Sequence, residues 1–130
     1  MTKEEMLVRQ IIGPVRNATG DFVFAVRETG RLLFDEGRPF EEILLTRDIY
    51  PVVAGLMKKN ERTVARQIER VGNLCWDSMD EKLKIKYIGR PLSDIRSPQD
   101  MIFYLAFYCR FQRAFYEIME EELGASFTSY

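Results

Sequence analysis

Val64, Ile68, Val71 and Cys75 recur at intervals of four, three and four, separated by polar and charged side chains. That period fits one stripe of an α-helix and no strand, so residues 61–76 form an amphipathic helix about 24 Å long with the apolar row turned inward. Arg62, Arg66, Glu69, Arg70 and Asn73 then face outward. Asn60, immediately ahead, is a residue that caps helix N-termini or makes turns. Upstream, Ile49, Val52, Val53, Leu56 and Met57 give a second helix an inward face, with Thr46 as its cap and Asp48 in its first turn, where a carboxylate meets the positive helix end. Pro51 fits only if it lies early in that helix, because a central proline costs about 3 kcal/mol. Two helices joined by the tight corner 58–60 are the sequence form of a helix-turn-helix.

The rest of the chain follows the same period. Met6, Leu7, Ile11 and Ile12 share one side of a helix over residues 2–12, which Gly13-Pro14 ends. Asn17 to Gly20 is a turn. Asp21 caps a helix running to about Glu36, with Phe22, Val23, Val26, Leu33 and Phe34 at helical spacing and Gly30 weakening its middle. Gly37-Arg38-Pro39 separates it from a short helix over residues 40–45. Between residues 77 and 96 the pattern is open: Leu83, Ile85 and Tyr87 alternate with lysines as in a strand, so both a small wing and a short helix fit. Ser97-Pro98-Gln99-Asp100 is the clearest helix start, a hydroxyl cap followed by proline and a carboxylate. The helix it opens is expected to persist to about Leu123, with Gly124 as its stop, and its apolar residues cover more than one stripe.

The fold expected is therefore all-α: about six helices, a helix-turn-helix in the middle and a long aromatic-rich C-terminal helix. Residues 1–124 form one domain, and residues 125–130 a flexible tail. With 46% apolar residues in 130, the chain can build its own core without metal or disulfide. Cys75 and Cys109 make no CxxC pair and are expected to be reduced. No stretch is apolar enough to span a membrane, and the charged N-terminus is no signal peptide, so a cytoplasmic protein is expected.

Chemistry is mostly excluded. Histidine is absent, which removes the commonest general base and zinc ligand. Glu4-Glu5, Glu41-Glu42 and Glu120 to Glu122 are neighbours in number, which point in different directions on a helix and do not make an acid/base pair. The glycines form neither a GxGxxG nor a Walker pattern. No catalysis, cofactor or metal is expected.

Charge offers one lead. The chain holds 19 basic and 20 acidic side chains, yet residues 58–70 carry five basic against two acidic, a positive excess between flanks 1–57 and 71–130 that each carry seven basic against nine acidic. A helix fits the major groove of DNA, and outward arginines pair bidentately with guanine. Arg62, Thr63, Arg66, Gln67 and Arg70 are the candidate base readers. Lys58, Lys59 and Asn60 at the corner are the candidate phosphate contacts, which would supply most of the salt-sensitive affinity. A solvated surface helix has the same pattern, and Glu61 and Glu69 dilute the patch. On the aromatic C-terminal segment, Tyr104, Tyr108, Phe111 and Tyr116 are candidates for a protein interface, a homodimer or another regulatory protein, while the phenylalanines fill the core. The rival to DNA binding is a non-catalytic helical interaction module.

Taken together, IIGPVRNATGD at 11–21, VRETGRLL at 26–33, DIYPVVAGLMKKN at 48–60, VARQIERVGNLCW at 64–76 and SPQDMIFYLA at 97–106 resemble the C-terminal DNA-binding effector domains of the master regulators that start sporulation in spore-forming Firmicutes. The resemblance covers about residues 5–115. It implies an all-helical domain of about six helices that binds promoter DNA, with copies arranged along tandem sites, Arg66 at the matching reading arginine, and Thr63 and Arg70 beside it. It also implies a short helix rather than a wing near residues 80–87. Two departures stand out: 130 residues leave no room for a phosphoryl-accepting receiver, and the NERT lead into the reading helix is shorter and more acidic than the family's.

Overall fold

The computed structural model describes residues 2–13, 19–92 and 99–123. Among them every regular element is helical. Seven α-helices follow in order: α1 (Lys3–Ile12), α2 (Gly20–Gly30), α3 (Tyr50–Met57), α4 (Glu61–Asp77), α5 (Glu81–Tyr87), α6 (Asp100–Phe111) and α7 (Phe115–Leu123). No helix is long and apolar enough to cross a membrane among the described residues.

α1 begins where the sequence puts a cap: the Thr2 hydroxyl accepts from the Glu5 N–H at 3.2 Å. Its buried residues are Leu7, Val8 and Ile11, whereas Met6 is 48% exposed. α2 is the hub, packed against α1, α3, α4 and α6 and burying Phe22, Ala25 and Val26 almost completely. It does not start on an Asp21 cap. Gly20 is already helical, and Asp21 lies inside the first turn, 2% exposed, with its carboxylate turned toward Lys59 instead of its own backbone. After Gly30 the helix continues as a π turn over Arg31–Asp35, closed by Glu36 N–H to the Arg31 carbonyl at 3.0 Å. The wider turn puts Leu32 and Leu33 both into the core.

The expected short helix over residues 40–45 is a single 3₁₀ turn, Phe40–Glu42. A second π turn, Leu45–Ile49, leads into α3. Thr46 does not cap it; Asp48 does the equivalent work, its Oδ2 accepting from the Leu44 N–H at 2.9 Å and from Arg38 at 3.1 Å. Pro51 falls in the first turn of α3, where no intrahelical partner is lost.

The open question at residues 80–88 resolves as helix: the Asp80 carboxylate accepts from the Leu83 N–H at 2.9 Å and opens α5. The single long C-terminal helix is a correction. It breaks after Phe111, where Gln112 adopts the left-handed conformation (φ 57°, ψ 31°) and its side chain donates to the carbonyls of Tyr108 and Cys109 at 3.3 Å each. The physical reason lies in the rings. Phe115 meets Phe107 at 5.0 Å and Tyr104 at 5.4 Å between centroids, whereas on a continuous helix eight residues of rise would separate 115 from 107 by about 12 Å. The reversed chain is pinned by the Tyr116 N–H, which donates to the Ile88 carbonyl at 2.9 Å. Gly89 allows this approach: it has φ +103°, and a Cβ there would lie 3.0 Å from Tyr116 Cβ. Ser97, Pro98, Gly124 and the tail 125–130 lie outside the described residues.

Buried side chains from all seven α-helices join one core, from Leu7 and Val8 through Ile49, Ile68 and Met101 to Ile118. Cys75 is buried and Cys109 half-buried, both as free thiols, and burial pushes each up to about 12.

Candidate nucleic-acid interface

α3 ends on Lys58, whose left-handed backbone (φ 56°, ψ 47°) turns the chain; the N–H groups of Lys58 and Lys59 both fall on the Ala54 carbonyl, at 3.0 Å for Lys59. Two residues later the Asn60 Oδ1 accepts from the Thr63 N–H at 2.8 Å and α4 begins. Glu61 occupies the first turn of α4, where its charge meets the positive helix end. The corner is therefore made by one left-handed residue and one side-chain cap, and it is as short as the sequence indicates.

On α4, Val64, Ile68, Val71 and Cys75 have no exposed surface. With that stripe fixed against α2, α3 and α6, the opposite stripe must face water. Arg62 and Arg66 are exposed there and make no hydrogen bond or ion pair among the described residues. Arg70 is half-buried, its Nε and Nη2 donating to Gln67 Oε1 at 3.1 and 2.9 Å, so Gln67 and Arg70 are held as a pair. Thr63 is half-buried on the first turn.

The corner residues divide. Lys58 points into solvent. Asn60 uses its oxygen on the cap. Lys59 is engaged inward: its Nζ sits 3.1 and 3.3 Å from the two oxygens of Asp21, whose side chain is 3% exposed. A carboxylate that deep is tolerable because the ammonium compensates it. Lys59 thus anchors the corner to the start of α2, and Gly20 reinforces the approach, since a Cβ there would lie 3.2 Å from Met57 Cε. Sequence reasoning missed Asp21 in this role because no local signal links two residues 38 apart.

The candidate protein interface does not hold together as one surface. Tyr104 is buried, 7% exposed, with burial pushing its hydroxyl up and its ring against Phe115 and Tyr116. It is a core residue and offers no contact to a partner. Tyr108 is half-buried, edge-on to Tyr87 at 4.8 Å. Tyr116 is half-buried beneath the Arg90 guanidinium, 4.2 Å above its ring. Phe111 is 44% exposed, and two other large apolar residues, Val52 and Leu56, are more than 40% exposed on the outer face of α3.

No group of acids and cysteines among the described residues is arranged to hold a metal ion. The arrangement at α3 and α4 presents exposed guanidinium donors, Arg62 and Arg66, on a capped helix, a geometry that suits polyanion contact. No protein family, no curated protein and no solved structure matches this chain.

Proposed function

We propose that the chain is a sequence-specific double-stranded DNA-binding regulator of transcription, in which α3 and α4 act as a helix-turn-helix and α4 enters the major groove. The observation that carries this reading is the state of Arg62 and Arg66: both are exposed on the solvent stripe of a helix whose other stripe is fully buried, with no carboxylate among the described residues bonded to either. Guanidinium groups so placed reach guanine O6 and N7 without first breaking an internal ion pair. In this reading Arg66 is the central base reader and Arg62 its neighbour. The Gln67–Arg70 pair supplies a second, preorganised polar contact, and Lys58 serves the phosphate backbone. Lys59 is assigned to the fold.

The test begins with selection of bound duplexes from a random pool, followed by titration of the selected site and a scrambled one. Arg66→Ala is expected to cost about 1 to 3 kcal/mol on the selected site and to blur its preference, while Lys58→Ala weakens both duplexes alike and flattens the salt slope. Equal losses on both duplexes for Arg66→Ala would remove its reading role. No duplex binding tighter than about 10⁻⁴ M at low salt would end the DNA reading in favour of a helical interaction module.

A further inference from the structure

α1, α2, the π turn that extends α2, and α6 enclose an open cleft of about 430 Å³, with Leu56 of α3 at its edge. That is the size of pockets that take small organic ligands. Its lining is in part apolar and aromatic: Phe24 and Phe34 are half-buried there, and Leu56 at the edge is 58% exposed. Four cations, Lys3, Arg27, Arg31 and Arg110, stand around it.

Their circumstances differ. Arg31 is held by Glu28 at 2.7 Å and by Glu36, and Arg27 has Glu4 at 3.9 Å. Arg110 has no carboxylate and no hydrogen bond among the described residues; its guanidinium carbon lies 5.8 Å from the centroid of the Phe34 ring. A ring face orients a guanidinium without occupying its five N–H donors. Among the described residues Lys3 likewise has no bonded acid, and the cleft carboxylate Asp35 has no bonded cation. Cys109, in the wall, is a neutral thiol at physiological pH and adds no negative charge. The cleft therefore joins apolar and aromatic surface to two cations, Lys3 and Arg110, that have no ion pair among the described residues.

We infer that this cleft binds a small planar organic anion, an aromatic or conjugated body bearing a carboxylate, sulfonate or phosphate, with the anionic group on Arg110 and Lys3 and the flat body over Phe34, Phe24 and Leu56. Leu56 lies two residues before the left-handed Lys58, so an occupant that covers it touches the last turn before the corner that presents α4. Through that turn the ligand alters DNA affinity. This coupling rests on the DNA reading above; the binding site does not.

Calorimetric titration of the full chain without DNA tests the site, using anilinonaphthalene sulfonate as the planar anion and phenylnaphthylamine as its uncharged counterpart. One saturable site is expected for the sulfonate. Arg110→Gln weakens it about tenfold, the loss of one charge-assisted contact, and leaves the weaker binding of the uncharged ring unchanged. Leu56→Ser weakens both ligands, and Arg66→Ala, outside the cleft, weakens neither. Arg110 and Leu56 are exposed, so circular dichroism is expected to match the parent. Absence of saturable binding, or binding indifferent to both cleft substitutions, overturns the site. Saturable binding that leaves duplex affinity unchanged keeps the site and overturns the coupling. Loss of duplex binding in every condition, with sulfonate binding intact, overturns the DNA reading alone.

Discussion

Arg66 on α4 and Arg113 just ahead of α7 are both surface arginines, and their surroundings are opposite. Arg113 donates to Glu117 at 3.0 Å and to Glu121, and nearby Arg90 pairs with Glu120 at 3.2 Å while lying over the Tyr116 ring. Beneath them the rings of Phe40, Tyr104, Phe107 and Phe115 meet edge to face at 5.0 to 6.5 Å. There Arg90, Arg113 and the rings beneath them all have internal partners. Arg62 and Arg66 make no hydrogen bond or ion pair among the described residues. An incoming phosphate would have to displace a glutamate at Arg113 but not at Arg66, so an exposed arginine and a half-buried one differ in what they offer a ligand. Charge counts along a sequence do not separate these cases.

The contrast predicts a stability difference, and its largest test is Phe115→Ala. Phe115 is 7% exposed and touches four other rings. Its truncation is expected to cost about 3 to 5 kcal/mol in urea unfolding, whereas Arg66→Ala stays within about 0.5 kcal/mol. Comparable losses would show that the α4 face is structural.

Lys59 tests the border between the two regimes, since it is the one corner cation with an internal partner. Lys59→Met strands a buried carboxylate and should cost about 3 kcal/mol, with Asp21→Asn/Lys59→Met recovering part of it. A neutral effect of Lys59→Met on stability would return Lys59 to the set available for phosphate. Asn60→Ala removes one capping bond and is expected to lower stability by about 1 kcal/mol. Because that cap fixes where α4 starts, duplex affinity should fall with it.

The smallest effect is on acid sensitivity. The Arg47 guanidinium, then the Leu44 N–H and the charge of Arg38, hold the Asp48 carboxyl well below the usual carboxylate range. A carboxyl depressed in the folded state contributes stability that is present above its unfolded pKa and is lost as pH falls through the folded one. Asp48→Asn should therefore flatten the decline in stability on the acid side of about pH 4, measured by urea midpoints at descending pH. An unchanged acid limb would mean that Asp48 does not hold the turn ahead of α3.

Most of the helices were legible because their determinants are local. The apolar row of α4, the Asn60 and Thr2 caps and the early position of Pro51 each depend on neighbours three or four residues away, which a sequence displays directly. Thr46 and Asp21 were misassigned as caps for a related reason: both have capping chemistry, but Asp48 satisfied the Leu44 N–H and Lys59 drew Asp21 inward. The interface candidates failed in part because an aromatic residue on a helix carries the same letter whether its ring faces a partner or the core, and Tyr104 faces the core.

By itself the sequence determined that this chain is helical, where α4 begins, and which of its stripes is dry, because backbone hydrogen bonding and apolar period act over a single turn. Only the tertiary structure decided that the C-terminal segment folds back at Gln112, that Lys59 belongs to Asp21, and that Arg62 and Arg66 have no ion pair among the described residues. Those outcomes depend on which groups from distant parts of the chain reach one another first in space, and burial rewards the pairing that satisfies rings and charges together.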